Sequence, residues 1–334
     1  MTFGKSLAVA ALTMMTAAGA QAQEAANPAV IFDLGGKFDR SFNQASYDGA
    51  ERFTKETGIA YESFELQNDA QREQALRRFA ERGHNPVITN GFSYGSAMET
   101  VSQEFPDTDF VVIDTVVEQP NVRSVVFNEH EGSYLVGVLA AMASKTGKVG
   151  FVGGMDIPLI QKFACGYVQG VKATNPDAEV FQAMTGTTGA AWNDPVRGGE
   201  LAKSQIDRGA DVVYHAAGGT GIGVLQAAAD AGVYGIGVDS NQNYLHPGHV
   251  LTSMLKRVDV ATYQAMMDVH NGAFTAGVQV LGLKEDGVGW ALDENNKDLI
   301  TPEMQKAADE ARAKIISGEI LVHDYSTDGA CPVS

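Results

Sequence analysis

Polar side chains stand at the ends of several predicted strands in this chain of 334 residues. They belong to Asp33, Asn90, Asp114, His215 and Asp239. A single acid after a strand is usually a helix cap or a turn residue. Because ligands bind at the carboxyl ends of strands in open α/β sheets, several such residues at equivalent positions predict a ligand cleft between two lobes.

A glycine-rich segment, residues 218–223, lies between a predicted strand and a predicted helix, and Asp239 ends the next strand. In a dinucleotide-binding fingerprint, glycines let the backbone approach a pyrophosphate and an acid binds a ribose hydroxyl. The glycines at 219, 221 and 223 give G-x-G-x-G, which departs from the fingerprint spacing. Glycines that let a ligand approach the backbone closely, together with an acid at the end of the next strand, suit a ribose without phosphates. A turn with no ligand role is the alternative.

Two aromatic residues, Phe42 and Trp192, stand at the starts of predicted helices. Ser41 occupies the expected N-cap position of the first of these helices, so Phe42 and Asn43 would face the mouth of the cleft. Two aromatic rings at the lobe edges could enclose a planar base, since base–aromatic stacking contributes roughly 1–3 kcal/mol per base without any charge. The alternatives are a core position for Phe42 and a plain capping role for Asp194 beside Trp192.

Alternating apolar segments predict the elements that position these side chains. The first series has strands at 29–33, 86–90, 109–114 and 122–127, with helices at 42–57, 94–104 and 129–145. The second has strands at 148–152, 178–183, 211–215 and 234–238, with helices at 158–173, 195–208 and 223–231. Such alternation predicts an α/β protein with two parallel sheets built from right-handed βαβ units.

The net charge of -17 makes nucleic acid and anionic membranes poor partners for this chain. A neutral ligand is unaffected by this argument. The only two cysteines, Cys165 and Cys331, could form one disulfide that ties the C-terminal tail to an earlier helix, or could stay separate thiols.

Residues 1–22 have the pattern of a cleaved signal peptide. Lys5 precedes an apolar run from Leu7 to about Ala18, and Ala20-Gln21-Ala22 is the small-x-small pattern of a cleavage site. The apolar run is shorter than the roughly 20 residues needed to span a bilayer, and no Cys near the cleavage site offers a lipid attachment point. We therefore expect a chain that begins near Gln23, is exported, and is free in the periplasm without a membrane anchor.

Five short motifs occur in a fixed order between about Ala29 and Trp290. They are Asp33-x-Gly-Gly-x-x-Asp39-x-Ser-Phe-Asn43, Trp192-x-Asp194-Pro195, Gly218-Gly-x-Gly221, Gly237-Val-Asp239 and Ser253-Met-Leu-Lys256. The ordered set resembles the basic membrane protein family of bacterial substrate-binding proteins, of the purine nucleoside receptor type. Two departures are the missing lipid-attachment Cys and Trp192, where relatives more often have Phe.

The resemblance implies a type I periplasmic-binding-protein fold, with two doubly wound parallel-sheet lobes joined by a three-segment hinge. The lobes would comprise residues 28–129 plus about 254–277, and 130–253 plus about 278–334. It also implies a monomer that delivers adenosine, guanosine or inosine to the permease of an ABC importer. The alternative ligand for the same fold is a sugar or another small polar molecule.

The resemblance also implies a role for each motif residue. Phe42 and Trp192 would enclose the base, Asn43 and Asp114 would meet its edge, and Asp33 would be a further polar partner. Asp239 and Lys256 would hold the ribose hydroxyls, while Gly218, Gly219 and Gly221 would allow close approach. For Lys256, an ordinary exposed lysine is the alternative.

Metal-binding motifs for catalysis do not occur in the sequence. A metal-activated water would need clustered acids, and there is no such cluster and no His–Glu pair at metal-ligand spacing. We therefore predict no catalytic residue, no metal and no cofactor, and expect capture of a ligand by closure of the lobes. A nucleoside-processing enzyme is the alternative.

Overall fold

Strands and helices alternate through the part of the chain that the structure describes. The structure is a computed structural model and describes residues 1–2 and 26–334, so the predicted signal peptide, apart from its first two residues, lies outside the described residues. The strands are β1 (Ala29–Phe32), β2 (Glu62–Glu65), β3 (Val87–Asn90), β4 (Phe110–Ile113), β5 (Val122–Phe127), β6 (Lys148–Met155), β7 (Glu179–Gly186), β8 (Val212–Ala216), β9 (Tyr234–Asp239), β10 (Val250–Lys256), β11 (Gly277–Leu281) and β12 (Val288–Trp290). The helices are α1 (Phe42–Thr57), α2 (Arg72–Glu81), α3 (Gly95–Glu104), α4 (Glu129–Ala143), α5 (Pro158–Thr174), α6 (Pro195–Asp207), α7 (Gly221–Asp230), α8 (Val258–His270) and α9 (Pro302–Ser317).

Two six-stranded sheets organise these elements, in the orders β11-β5-β4-β3-β1-β2 and β12-β10-β9-β8-β6-β7. The strands pair in parallel, while β12 runs antiparallel to β10 at the edge of the second sheet. The central strands β1, β3 and β4 are buried along their whole length and are almost entirely apolar. Parallel strands covered by helices on both faces need such sequences. The predicted fold class is confirmed.

The chain passes between the two sheets three times. It leaves the first sheet after β5, returns after β10 through α8, and leaves again after β11. Arg123 of β5 fastens the returning segment, because its guanidinium donates to the Thr275 carbonyl (2.9 Å) and to Asp268 (2.6 Å). These three crossings are the predicted three-segment hinge.

The bounds of the two lobes stay a proposal. The end of β10 pairs with β9 in the second sheet, and β11 pairs with β5 in the first. We therefore propose that the chain changes lobe near residues 128, 257 and 282, which moves β11 as a whole into the first lobe.

Helices α4 and α5 cross at a distance that only glycine permits. A Cβ atom on Gly137 would lie 2.4 Å from the Tyr167 carbonyl oxygen, and one on Gly170 would lie 2.1 Å from the Tyr134 carbonyl oxygen. These distances are far below van der Waals contact. The close crossing holds α5 against the start of α4, where the chain enters the second lobe.

A Gly170→Ala substitution should lower the free energy of unfolding by about 1–3 kcal/mol, because the two helices must separate to admit the methyl group. Urea unfolding followed by circular dichroism measures the change. Gly95→Ala in α3 is the matched control, since a Cβ there would meet its nearest neighbour at 3.6 Å. Alanine favours a helix over glycine, so the control should lose no stability. Equal losses in the two variants would contradict the steric explanation.

Cys165 of α5 and Cys331 form a disulfide, with 2.07 Å between the sulfur atoms. Of the two states that the sequence leaves open, the structure has the bonded one. Gln169, one turn further along α5, exchanges hydrogen bonds of 3.0 and 2.8 Å with the backbone of His323. These contacts attach the C-terminal tail, defined as residues 319–334, to one face of α5.

Candidate ligand-binding site

A cleft between the two sheets collects side chains from the carboxyl ends of strands in both lobes. It contains about 570 Å³ of space free of protein atoms, part of it open to solvent. Eight of the ten predicted ligand residues line it: Asp33, Phe42, Asn43, Asp114, Trp192, Gly218, Asp239 and Lys256. Gly219 and Gly221 are not part of the lining.

The glycines of the segment 218–223 have different structural roles. Gly218 has a φ of +56° and lines the cleft. A Cβ on Gly219 would approach the Trp192 carbonyl oxygen at 3.3 Å, and one on Gly221 would fall 1.9 Å from the His215 ring. Gly221 therefore makes room for a neighbouring side chain, and packing alone accounts for glycine at that position.

Two other strand-end residues support the cleft from below. His215 is fully buried, and its Nε2 lies 2.9 Å from Gln242 Oε1. Burial lowers the pKa of His215 to about 4, so the ring is neutral near pH 7 and Nε2 donates to Gln242. Asn90 is also buried, with its amide nitrogen 3.4 Å from Asn43 Oδ1. Neither side chain lines the cleft.

Asp39, rather than Ser41, caps the N-terminus of α1. Its carboxylate accepts hydrogen bonds from the backbone N–H groups of Ser41 (2.8 Å), Asn43 (3.0 Å) and Gln44 (3.1 Å). Ser41 stands at the N-cap position, as predicted, but its side chain makes no cap bond. An aspartate two residues earlier reaches the same donors and binds them as a carboxylate. Asp39 also lines the cleft, although the sequence analysis does not select it.

Asp33 and Asn43 are held in place by partners within the first lobe. Asn43 Oδ1 accepts from the Asp33 backbone N–H (3.0 Å), and its amide group donates to the Asp33 carbonyl (3.2 Å). The Asp33 carboxylate pairs with Arg72 of α2, a residue that the sequence analysis misses. Burial raises the pKa of Asp33, although Arg72 opposes that shift.

Aromatic and aliphatic side chains form the apolar walls of the cleft. Phe42 and Trp192 are in the lining as predicted, and Phe163 and Leu159 of α5 join them. Trp192 packs onto the bare backbone of Gly154, where a Cβ atom would lie 2.1 Å from the indole ring. A helix face with apolar spacing gives no sign that it borders a ligand, which is why the α5 residues are not predicted from sequence.

Lys256 is the main cation of the cleft and is only 2% exposed, so the alternative of an ordinary surface lysine is wrong. Its ammonium lies 2.7 Å from the Asp114 carboxylate and 3.0 Å from Glu129. It also stands over the rings of Phe42 and Phe127, 5.1 Å from each ring centre. Burial would lower the pKa of Lys256, but the attraction of the surrounding carboxylates outweighs burial and raises it.

Three carboxyl groups around this lysine and α1 have raised pKa values. Burial raises the pKa of Asp39, Asp114 and Asp239 to about 6 each, and the opposing effects of Lys256 and of hydrogen-bond donors do not offset it. These groups change charge just below neutral pH. The protonation state of the cleft is therefore sensitive to mild acid.

Ligand affinity and protein stability should respond to pH in opposite directions. Below pH 6 these carboxyls gain protons and lose strength as acceptors, so we expect affinity to fall as the pH drops from about 7 to 5. A raised carboxyl pKa stabilises the folded state below the ordinary value near 4, and that contribution is lost as the pH rises through 6. Calorimetric titration and urea unfolding across this range measure both trends. A dissociation constant independent of pH would contradict the first.

The lobes contact each other through the loops that follow β1 and β9. The Ser41 hydroxyl donates to the Asp239 carboxylate, and Ser240 Oγ donates to the Ser41 carbonyl (2.9 Å). Gln242 Nε2 donates to the Arg40 carbonyl (2.9 Å), and Arg40 has a φ of +61°. The structure therefore has the two lobes closed against each other beside the cleft.

Neither a metal-binding cluster nor a membrane-crossing helix occurs within residues 1–2 and 26–334. In that part of the chain, no three His, Cys, Asp or Glu side chains are grouped so that they could hold an ion. None of the helices described there combines enough length with enough hydropathy to cross a bilayer.

Comparison with known proteins relates most of the described chain to transport proteins. Residues 26–326 match the family Bmp, described as "ABC transporter substrate-binding protein PnrA-like". The "ABC transporter nucleoside-binding protein BmpA" of Lactococcus lactis is 33% identical over 318 residues, which cover 88% of each chain. An "uncharacterized lipoprotein" of Pyrococcus furiosus is 33% identical over 352 residues, covering 95% of this chain and 87% of the relative.

A solved structure has the same arrangement of lobes. The ABC transporter solute-binding protein of Aeropyrum pernix K1 superimposes with a TM-score of 0.82 at 31% identity. The match covers 90% of this chain and 93% of that protein. The similarity thus extends over both sheets and the hinge.

Proposed function

The chain belongs to the Bmp family of PnrA-like ABC transporter substrate-binding proteins, and from this premise we propose that its cleft captures a purine nucleoside for import. As a member of that family it is an extracytoplasmic substrate-binding protein, it works with the permease of an ABC transporter, and it is not an enzyme. The identity of the solute is the part that we propose.

The observation that carries the proposal is the division of the cleft into an aromatic part and a charged part. Phe42 and Trp192 offer aromatic surface, and Asp239 and Lys256 offer an acceptor and a donor at the ends of neighbouring strands. A ribonucleoside has the same division, with a planar base and a sugar that carries adjacent hydroxyls. We propose that the base lies against the rings and that the hydroxyls bind Asp239 and Lys256.

The base edge would meet Asn43 and Asp114, with Asp33 as a further polar neighbour. Asp114 accepts a hydrogen bond from Lys256 (2.7 Å), so the same ion pair would serve the base and the ribose. The fixed amide of Asn43 would give the base a defined orientation, because both of its polar atoms already bond the Asp33 backbone.

The charge of the cleft favours a nucleoside over a nucleotide. Four carboxyl groups line it, those of Asp33, Asp39, Asp114 and Asp239, whereas Lys256 is the one lysine in the lining. Arg72 offsets only Asp33. A phosphate would therefore meet net negative charge, which disfavours its entry.

The periplasm is the proposed compartment, on the strength of the signal-peptide pattern in residues 1–22. The similar protein of Pyrococcus furiosus is called a lipoprotein. A monomer remains our prediction, which light scattering of the purified protein tests.

Mass spectrometry of small molecules retained by the purified protein, followed by calorimetry, tests the proposed ligand. Adenosine, guanosine or inosine should bind and raise the melting temperature, since a ligand that binds only the folded state stabilises it. Ribose, free bases and nucleoside monophosphates should bind more weakly. Binding of ribose or a hexose without binding of any nucleoside would overturn the proposal in favour of the sugar alternative.

A further inference from the structure

We propose that Glu129 and Lys162 form a positioning pair that fixes the Lys256 ammonium for the ligand's ribose hydroxyls, and that the C-terminal tail supports this pair through Asp324. The inference rests on the proposed function. It assigns a role in ligand recognition to residues that lie behind the cleft and do not line it.

Five charged side chains form a continuous series of alternating sign: Asp114, Lys256, Glu129, Lys162 and Asp324. Lys256 lies between Asp114 (2.7 Å) and Glu129 Oε1 (3.0 Å), and the other Glu129 oxygen is 2.9 Å from Lys162. Lys162 in turn is 3.6 Å from Asp324 in the tail. A line of ion pairs therefore leads from the cleft to the C-terminal tail.

The middle of this series of charged side chains is deeply buried, so an uncompensated charge there would be strongly unfavourable. Glu129 is 1% exposed, Lys256 2% and Lys162 8%. Two carboxylates and two ammonium groups, counting Asp114, compensate each other. Without Lys162 the remaining three groups would hold one uncompensated negative charge, and one Glu129 oxygen would lose its partner. Leaving a buried charge unpaired is strongly unfavourable, so Lys256 would be drawn toward Glu129.

The positioning pair also spans the hinge. Glu129 begins α4 directly after the first crossing, and Lys256 ends β10 directly before the second. Lys162, from the second lobe, donates to the carbonyl of Phe127 (2.7 Å), the last residue of β5 in the first lobe. The same lysine thus fixes both the backbone of the crossing and the carboxylate that holds Lys256.

The C-terminal tail is attached to the face of α5 that carries Lys162. Lys162, Cys165 and Gln169 follow the helical repeat and share one face of this helix. Cys165 bonds Cys331, and Gln169 bonds the His323 backbone, so Asp324 is held next to Lys162. The tail residue Ser326 also borders a pocket, partly open to solvent, that Glu129 and Lys162 line as well.

A lysine ammonium has three hydrogen-bond donors; Lys256 gives one to Asp114, and Glu129 lies 3.0 Å from the nitrogen as an ion-pair partner. A remaining donor is available to a ligand. Its direction depends on where the two carboxylates hold the nitrogen, so a displaced Glu129 would turn it away from the ribose. The effect should be specific to the sugar hydroxyls and should leave stacking on the base unchanged.

The test compares a ribonucleoside with its 2′-deoxy and 3′-deoxy analogues in wild type and Lys162→Met, by calorimetry on the full chain. In wild type the ribonucleoside should bind more tightly than either analogue. The variant should lose about 2- to 30-fold in affinity for the ribonucleoside. The variant should lose much less affinity for one or both deoxy analogues. The discrimination, meaning the ratio of the affinity for the ribonucleoside to that for the analogue, should therefore fall. Lys162→Arg should restore it, and Lys203→Met, at an exposed pair on α6, should leave it unchanged.

Asp324→Asn provides an independent measurement if Lys162→Met does not fold. It should reduce the same discrimination by a smaller factor, as should the Cys165→Ser and Cys331→Ser double variant. An unchanged ratio in Asp324→Asn, or equal losses for all three ligands in Lys162→Met, would overturn the positioning role. Wild type that binds no nucleoside would instead overturn the proposed function, and this inference with it.

Discussion

An Asp239→Ala variant should lose nucleoside affinity by about 30-fold or more, because a ligand hydroxyl in a buried site would lose a charged hydrogen-bond acceptor, at a cost of about 2 kcal/mol or more. Asp239 is buried at the end of β9, and Lys256, which follows on β10, is attracted to it. Without the carboxylate, a ribose hydroxyl would lose its proposed acceptor. Calorimetric titration with the best-binding nucleoside measures the loss.

Two control variants separate this effect from other consequences of the substitution. Asp239 has a φ of +63°, which asparagine tolerates better than alanine, so Asp239→Asn removes the charge with little backbone strain. Ser41→Ala removes the hydroxyl that donates to Asp239 across the lobes but keeps the carboxylate. If Ser41→Ala weakened binding as much as Asp239→Ala, contact between the lobes and not ribose recognition would explain the loss.

A Lys256→Met variant should lower the free energy of unfolding by about 3–5 kcal/mol, because removing one partner of a buried ion pair leaves the other charge uncompensated. Asp114 and Glu129 would then face each other with only Lys162 as a nearby cation. Nucleoside binding should also be lost, since the site would no longer have its lysine. Urea unfolding of the ligand-free protein measures the change in stability.

The double variant Lys256→Met with Glu129→Gln tests the explanation. Removing the charge of one of the two carboxylates should recover part of the lost stability, since the remaining buried charges, those of Asp114 and Lys162, are closer to balance. Lys203→Met, at a pair with 71% and 63% exposed side chains, should change stability little. No recovery in the double variant would mean that lost packing around the lysine, and not charge, causes the instability.

The central elements were predictable because burial imposes a pattern on their sequences. β1 and β4 are short apolar runs, β3 begins as one, and the helices between them have an apolar face. β2 escapes prediction because its residues, Glu62–Glu65, are mostly exposed at a sheet edge. α2 is rich in charge and presents only a narrow apolar face, with Leu76 and Phe79 buried. The spacing of three residues between Leu76 and Phe79 is typical of a helix face and could have predicted α2.

The positions of site residues were predictable, but their partners were not. Strand ends place Asp33, Asp114 and Asp239 in one cleft for a geometric reason that holds in any such sheet. Ion pairs such as that of Asp33 with Arg72 join residues far apart in the chain. Nothing in the sequence near Asp33 specifies that partner, because the pairing depends on how α2 packs. The same is true of Glu129, whose role depends on two lysines from different elements.

The threefold passage of the chain between the sheets also determines when each lobe can be completed during synthesis. β5 is fastened to the segment before β11 by a bond between Arg123 and Thr275, residues separated by 152 positions. The first lobe thus contains an edge strand that the ribosome makes long after the rest of its sheet. Contacts between such distant residues slow folding. The second lobe is completed later still, because β12 and α9 follow β11 in the chain, so neither lobe is complete until the last part of the chain has been made.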